Sequence, residues 1–145
     1  MSGAGYSGTP LPKKLGFKDG QRVLFVALPD SLSELRGAAR FAVCHVEERP
    51  KASGAGALDV IHAFVRDAAT AADLLPRLRK RMASDGAIWM SWPKKSARTA
   101  VAAGSDISED VIRALALKNG LVDVKVCAVD ALWSGLKLVI PKALR

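Results

Sequence analysis

Cysteine is almost missing from this chain: Cys44 and Cys127 are the only two in 145 residues. Two thiols make no disulfide framework, which excludes the stapled secreted scaffolds and fits reduced thiols in a cytoplasm. Long apolar runs are also lacking. The longest are strand-length, about 8 residues against the ~20 a membrane helix needs, so no membrane partner is expected. Met1 to Gly20 is small and polar with lysines and has no apolar core, which excludes a signal peptide. Two cysteines and two histidines at these spacings match no zinc pattern, and no metal is expected. A Walker loop, which needs Gly-x-x-x-x-Gly-Lys, is absent too.

What is present is globular. Half the residues are hydrophobic and a quarter are charged, enough for one core in a chain of this length. The formal charge is +8 and the isoelectric point about 9.9. That balance favours anionic partners: phosphorylated small molecules, acidic protein surfaces or nucleic acid. The lysines are spread along the chain, which makes nucleic acid the less favoured of these.

The division expected is an N-terminal arm, 1–20, packed on a single Rossmann-like α/β domain, 21–145. In the arm, Pro12 to Gly16 reads as one helical turn stopped by glycine. Arg22 to Leu28 is nearly all apolar and reads as a strand covered on both faces. Asp30 or Ser31 caps a short helix through Leu35 and Arg36. Arg40–Val46 and Leu58–Val65 read as the next strands, joined by a polar Gly-rich loop. Asp67 and Asp73 are both possible helix caps, and Pro76 suits the first turn of a helix capped by Asp73. Leu75, Leu78 and Met82 form its inner face, Arg77, Lys80 and Arg81 point outward, and Asp85-Gly86 stops it. Ala87–Trp92 is a fourth strand. Asp106 with Glu109 suggests a capping box for a helix ending at Asn119-Gly120. Leu121–Val129 and Leu136–Ile140, joined through Trp133-Ser134-Gly135, read as an antiparallel pair. The fold class expected is therefore α/β: a three-layer Rossmann-like domain of about six strands, mainly parallel, with a C-terminal antiparallel hairpin.

Lys18 to Leu24, Leu78 to Met90 and the stretch around Trp133-Ser134-Gly135 resemble the first strand, the late helix and strand, and the antiparallel end of a shortened class I methyltransferase domain. In that superfamily the first strand runs into a glycine-rich loop whose amides approach the cofactor. Here the strand runs into Ala27-Leu28-Pro29-Asp30, with no glycine and one donor removed by Pro29. No cofactor is expected on this ground. Glu47 and Glu48 stand where the resemblance implies a ribose-binding acid. A second resemblance is carried by Tyr6-Ser7-Gly8-Thr9-Pro10-Leu11-Pro12-Lys13-Lys14-Leu15-Gly16, by Trp92-Pro93-Lys94-Lys95, and by Leu121 to Leu136. These segments are similar to a bacterial family named domain of unknown function 3052. The resemblance spans essentially the whole chain and implies a fold and a bacterial origin, but no activity.

Ligands of open α/β sheets bind beyond the carboxyl ends of the parallel strands. The expected candidates there are Lys94, Lys95, Ser96 and Arg98, the densest cationic loop, which suits a phosphate or carboxylate. Lys13, Lys14 and Tyr6 of the arm are placed beside it, as a lid or as a structural clasp. The ligand class is an anionic small molecule or an acidic partner, and no catalytic residue is assigned. Cys44 and His45 are neighbours in a strand, point to opposite faces and form no nucleophile–base pair. Both thiols are expected to be buried. Trp89 and Trp92 fall on opposite faces of their strand, and one is expected to line a cleft or partner surface.

Overall fold

Four strands lie parallel because each connection between them, a 3-10 helix, a loop and an α-helix in turn, carries the chain back to the starting end of the sheet. They are β1 (Arg22–Val26), β2 (Val43–Glu47), β3 (Leu58–Phe64) and β4 (Met82–Pro93). Then β5 (Val122–Ala128) and β6 (Trp133–Val139) complete a six-stranded sheet in the order β2-β1-β3-β4-β6-β5. β6 is antiparallel to both its neighbours, β4 and β5. The expected fold class is the one observed. The computed structural model describes residues 9–54, 56–97 and 105–145.

Each face of the sheet has its own apolar cluster. On one face lie α2 (Ala68–Arg81) and α3 (Glu109–Lys118), which bring Leu75, Leu78 and Ile112 against Leu24, Ile61, Ile88 and Leu138. Each such side chain contributes roughly 1.5–3 kcal/mol by leaving water. The other face is covered more thinly, by the single turn α1 (Leu11–Lys14) and a 3-10 helix, Asp30–Gly37. Leu15, Phe17, Leu32 and Leu35 close over Phe25, Trp89 and Trp133 there. The Trp89 indole donates a 3.0 Å hydrogen bond to the Leu15 carbonyl, so the segment after α1 is fastened to the sheet by a polar tie inside an apolar contact. Gly16, at φ +78°, ends that turn as expected.

Several local expectations are corrected. The segment after β1 is a 3-10 helix entered from Pro29, with no side-chain cap from Asp30 or Ser31. Of the two possible caps of α2, Asp67 is the one used, accepting from the Thr70 amide at 2.7 Å, so Pro76 lies inside the helix and not in its first turn. Asp106 is no part of a capping box. It accepts from the Ala68 amide at 2.9 Å and so caps α2 from the far side of the chain, while Ser108 caps α3. Arg81 does not point outward but is 1% exposed. Asp85-Gly86 is no stop, because α2 passes directly into β4. A Cβ at Gly86 would stand 2.7 Å from the Leu58 carbonyl oxygen, so glycine is there for close approach of two strands. Gly135 is likewise inside β6, 2.9 Å from the Ser91 hydroxyl by the same measure. The turn between β5 and β6 is made instead by Asp130, whose carboxylate accepts from the Leu132 and Trp133 amides, both at 2.8 Å.

Candidate functional site

Parallel pairing brings the carboxyl ends of the first strands to one level: Val26 is paired with Glu47 and with Ala63, and Ala63 with Met90. The chain leaves β1 by the 3-10 helix on one face and β3 by α2 on the other, and the two connections lead to opposite sides, so the topological switch point lies between β1 and β3. A cleft of ≈ 600 Å³ opens there. Val26, Ala27 and Phe64 form its sheet side, Glu48 and Arg49 one rim, and Ala69 and Thr70, in the first turn of α2, the other. Pro50 and Leu74 add buried apolar surface, and Asp73 and Arg77 pair across one helical turn at 3.4 Å.

The backbone at the end of β1 is unusual. Ala27 has φ +53°, a left-handed conformation that costs a side-chain-bearing residue of order 1 kcal/mol. Its amide is already taken, donating to the Glu47 carbonyl at 2.9 Å, and Pro29 has none to give. The turn therefore offers few main-chain donors to an anion, as its sequence implies.

The two acids after β2 have different surroundings. Glu47 is engaged by Arg81 through two hydrogen bonds, 2.9 and 3.0 Å. These bonds hold its carboxyl below the usual carboxylate value, against the opposing effect of burial. Arg81 also donates to the Lys51 carbonyl at 3.4 Å, and a Cβ on Gly54 would lie 2.4 Å from its guanidinium carbon. The loop after β2 is thus wrapped round a buried arginine. Glu48 alone faces the cleft. No motif marks this division; the one legible signal is that two consecutive acids at a strand end cannot both face the same way.

Of the cationic candidates, Lys94 is half-buried with its amide donating to the Leu132 carbonyl at 2.9 Å, while Lys95 and Ser96 are exposed in the 3-10 turn Lys95–Ala97. Lys13 is exposed and Lys14 half-buried on α1. Lys14 and Lys94 are brought together with Lys125 around the Cys127 thiol, each acting to lower its pKa, though burial prevails and raises it. Tyr6 and Arg98 lie outside the described residues. Cys127 is buried as expected, but Cys44 is exposed on the edge strand β2, which pairs on one side only among the described residues. Trp89 and Trp92 do fall in different clusters, and neither lines the cleft beside β1. Trp89, Trp92 and Trp133 are 0%, 6% and 2% exposed, so no stacking surface for bases comes from them.

One buried polar pair lies under the thin face. His62 is fully buried, stacked on Phe64 at 4.3 Å between ring centroids, with Nε2 2.7 Å from the Ser91 hydroxyl. Its Nδ1 has no partner, which fits a neutral ring, and burial pushes its pKa down to about 3. Beside it Arg66, at the exit of β3, sits 5.4 Å over the Trp133 ring.

No protein-family model matches the sequence, and no curated protein matches it. Solved structures do. Magnesium protoporphyrin IX methyltransferase from Synechocystis PCC 6803 with bound S-adenosylmethionine aligns with a TM-score of 0.60 at 15% identity, over 84% of this chain and 71% of that one. An S-adenosylmethionine-dependent methyltransferase from Aquifex aeolicus gives 0.60 at 16%, over 88% and 87%. Fibrillarin from Aeropyrum pernix, with natively bound S-adenosylmethionine, gives 0.52 at 15%, over 89% and 73%. At such identities the likeness is one of architecture: this chain has the Rossmann-like fold of the class I methyltransferases.

Proposed function

We propose that this chain is a cytoplasmic binding domain for an anionic, nucleoside-like small molecule. The base and sugar occupy the cleft beside Ala27, and the anionic end reaches toward Lys94, Lys95 and Ser96. The observation that carries this reading is the cleft itself, which lies at the switch point where ligands of open α/β sheets bind. Glu48 at one rim is an acceptor for sugar hydroxyls, and the apolar Val26, Ala27 and Leu74 suit a base. The lysine edge stands at the end of β4, two strands from β1 with β3 between. Membership of the domain-of-unknown-function 3052 family belongs to the same reading and rests on the motifs from Thr9 to Gly16 and from Leu121 to Leu136.

A second reading, an S-adenosylmethionine-dependent methyltransferase, is favoured by the fold and by the cofactor bound in its relatives. The turn after β1 speaks against it, since Ala27 and Pro29 leave little to hold the amino-acid end of that cofactor.

Calorimetric titration with adenosine, adenosine monophosphate and S-adenosylmethionine separates the two. A binding domain of the proposed kind prefers the monophosphate. Lys94→Ala with Lys95→Ala removes that preference and leaves adenosine unaffected, whereas Ala69→Trp fills the cleft and abolishes all three. Tightest binding of S-adenosylmethionine would transfer the conclusion to the enzyme, and no binding at all would dismiss the cleft.

A further inference from the structure

Independently of the cleft, the far edge of the sheet carries three features that belong together. β5 is an outer strand, so one side of its backbone has no strand partner among the described residues. Its Val124 and Val126 are 56% and 57% exposed, and Leu117 of α3 is 64% exposed. Val126 lies opposite Leu136, on the side of the sheet where α3 packs.

The third feature is charge. Lys125 of β5 stands directly across from Lys137 of β6, a like-charge pairing that weakens a sheet. Lys125 donates to the Lys14 carbonyl at 3.1 Å, which keeps it over this face. Lys137 is half-buried, and burial first, then Lys125 and Lys18, depress its pKa. Lys14, Lys94 and Lys125 surround the neighbouring Cys127. The ion pairs among the described residues are all made by arginines, so none of these lysines is neutralised by a carboxylate there.

A lysine and a bulge, here between Asp123 and Lys125, are ordinary defences of a sheet edge. They repel selectively, however. A second copy aligned on β5 would set lysine against lysine, whereas a strand bearing acids at those positions would relieve the repulsion already present. We propose that β5 is a docking edge for an extended partner segment in which acidic and apolar residues alternate, added to the sheet as a further strand. Its main chain would pair with β5, its acids would face Lys125 and Lys137, and its apolar side chains would cover Val126.

The test uses the whole protein and a synthetic peptide of alternating Glu and Val, with an alternating Lys and Val peptide as control, read by amide hydrogen exchange. The acidic peptide should protect amides within Val122–Ala128, and the basic one should not. Lys125→Glu should weaken the acidic peptide about tenfold or more and admit the basic one. If that variant unfolds, rising salt should weaken the wild-type interaction instead. No protection at millimolar acidic peptide would overturn the proposal. So would equal protection by both peptides, or protection of β5 by a short DNA oligonucleotide and not by the peptide.

Discussion

Arg81 and Glu47 are joined by a two-pronged ion pair at 2.9 and 3.0 Å that ties the end of α2 to the end of β2, with the arginine 1% exposed and the glutamate a third exposed. The pair uses up one of the two acids that sequence resemblance would assign to a ribose, leaving Glu48. Glu47→Ala leaves a buried guanidinium without its counter-charge and should cost about 2–3 kcal/mol, the partial exposure of Glu47 holding it to the low side. The urea midpoint measures it. Because the folded pKa of Glu47 is lowered, its contribution is complete above the ordinary value of 4.5 and is lost as pH falls through the folded value. Glu47→Gln should remove that acid-side loss.

His62 gives a second pH dependence in a different window. Its folded pKa is pushed down from 6.5 to about 3, so the unfolded chain takes up a proton before the folded one does. Stability is therefore complete above about pH 6.5 and falls as pH drops toward 3, by up to about 1.4 kcal/mol per pH unit. Between pH 5 and 6.5 this lies above the Glu47 window. Denaturant melts of the double variant His62→Phe, Ser91→Ala should be flat across that upper range while the wild type slopes.

Gly86→Ala places a methyl group 2.7 Å from a main-chain oxygen that cannot rotate away, and should destabilise by about 1–3 kcal/mol in thermal melts. Ala27→Gly acts in the opposite sense: it relieves a left-handed alanine and should raise stability by up to about 1 kcal/mol.

Trp89→Phe keeps most of the buried ring and deletes its bond to the Leu15 carbonyl. Loss of one buried hydrogen bond costs about 1–2 kcal/mol. Hydrogen exchange should report it first at the amides of Leu15, Gly16 and Phe17, since the tie holds that segment.

The strands were legible where an apolar run left no other reading, as in Arg22–Val26 and Leu58–Phe64, and the parallel order followed from the alternation with helices. Glycine misled twice in the same way. Gly86 and Gly135 look like turn residues, but both sit inside strands where a neighbouring atom leaves no room for Cβ. Only the folded neighbour makes that visible. Pro76 misled too: its preference for a first turn pointed to Asp73 as the cap, yet α2 tolerates it nine residues in, losing one main-chain bond. The lysine candidates were legible as a charged run, while the cleft was not. It is assembled from ends of three strands and the start of a helix, none of which carries a local motif.

The sixth strand is not at the rim. β6 fills the gap between β4 and β5, and hydrogen-bonds to both. Until Trp133–Val139 are in place, β4 has an open flank and β5 has no strand to join, so two ladders wait on one segment. Trp133–Val139 works as a keystone: trimming it should not shave the edge of the molecule but split the sheet, leaving β5 with no strand to join while α3 stays packed through Ile112 on its apolar cluster.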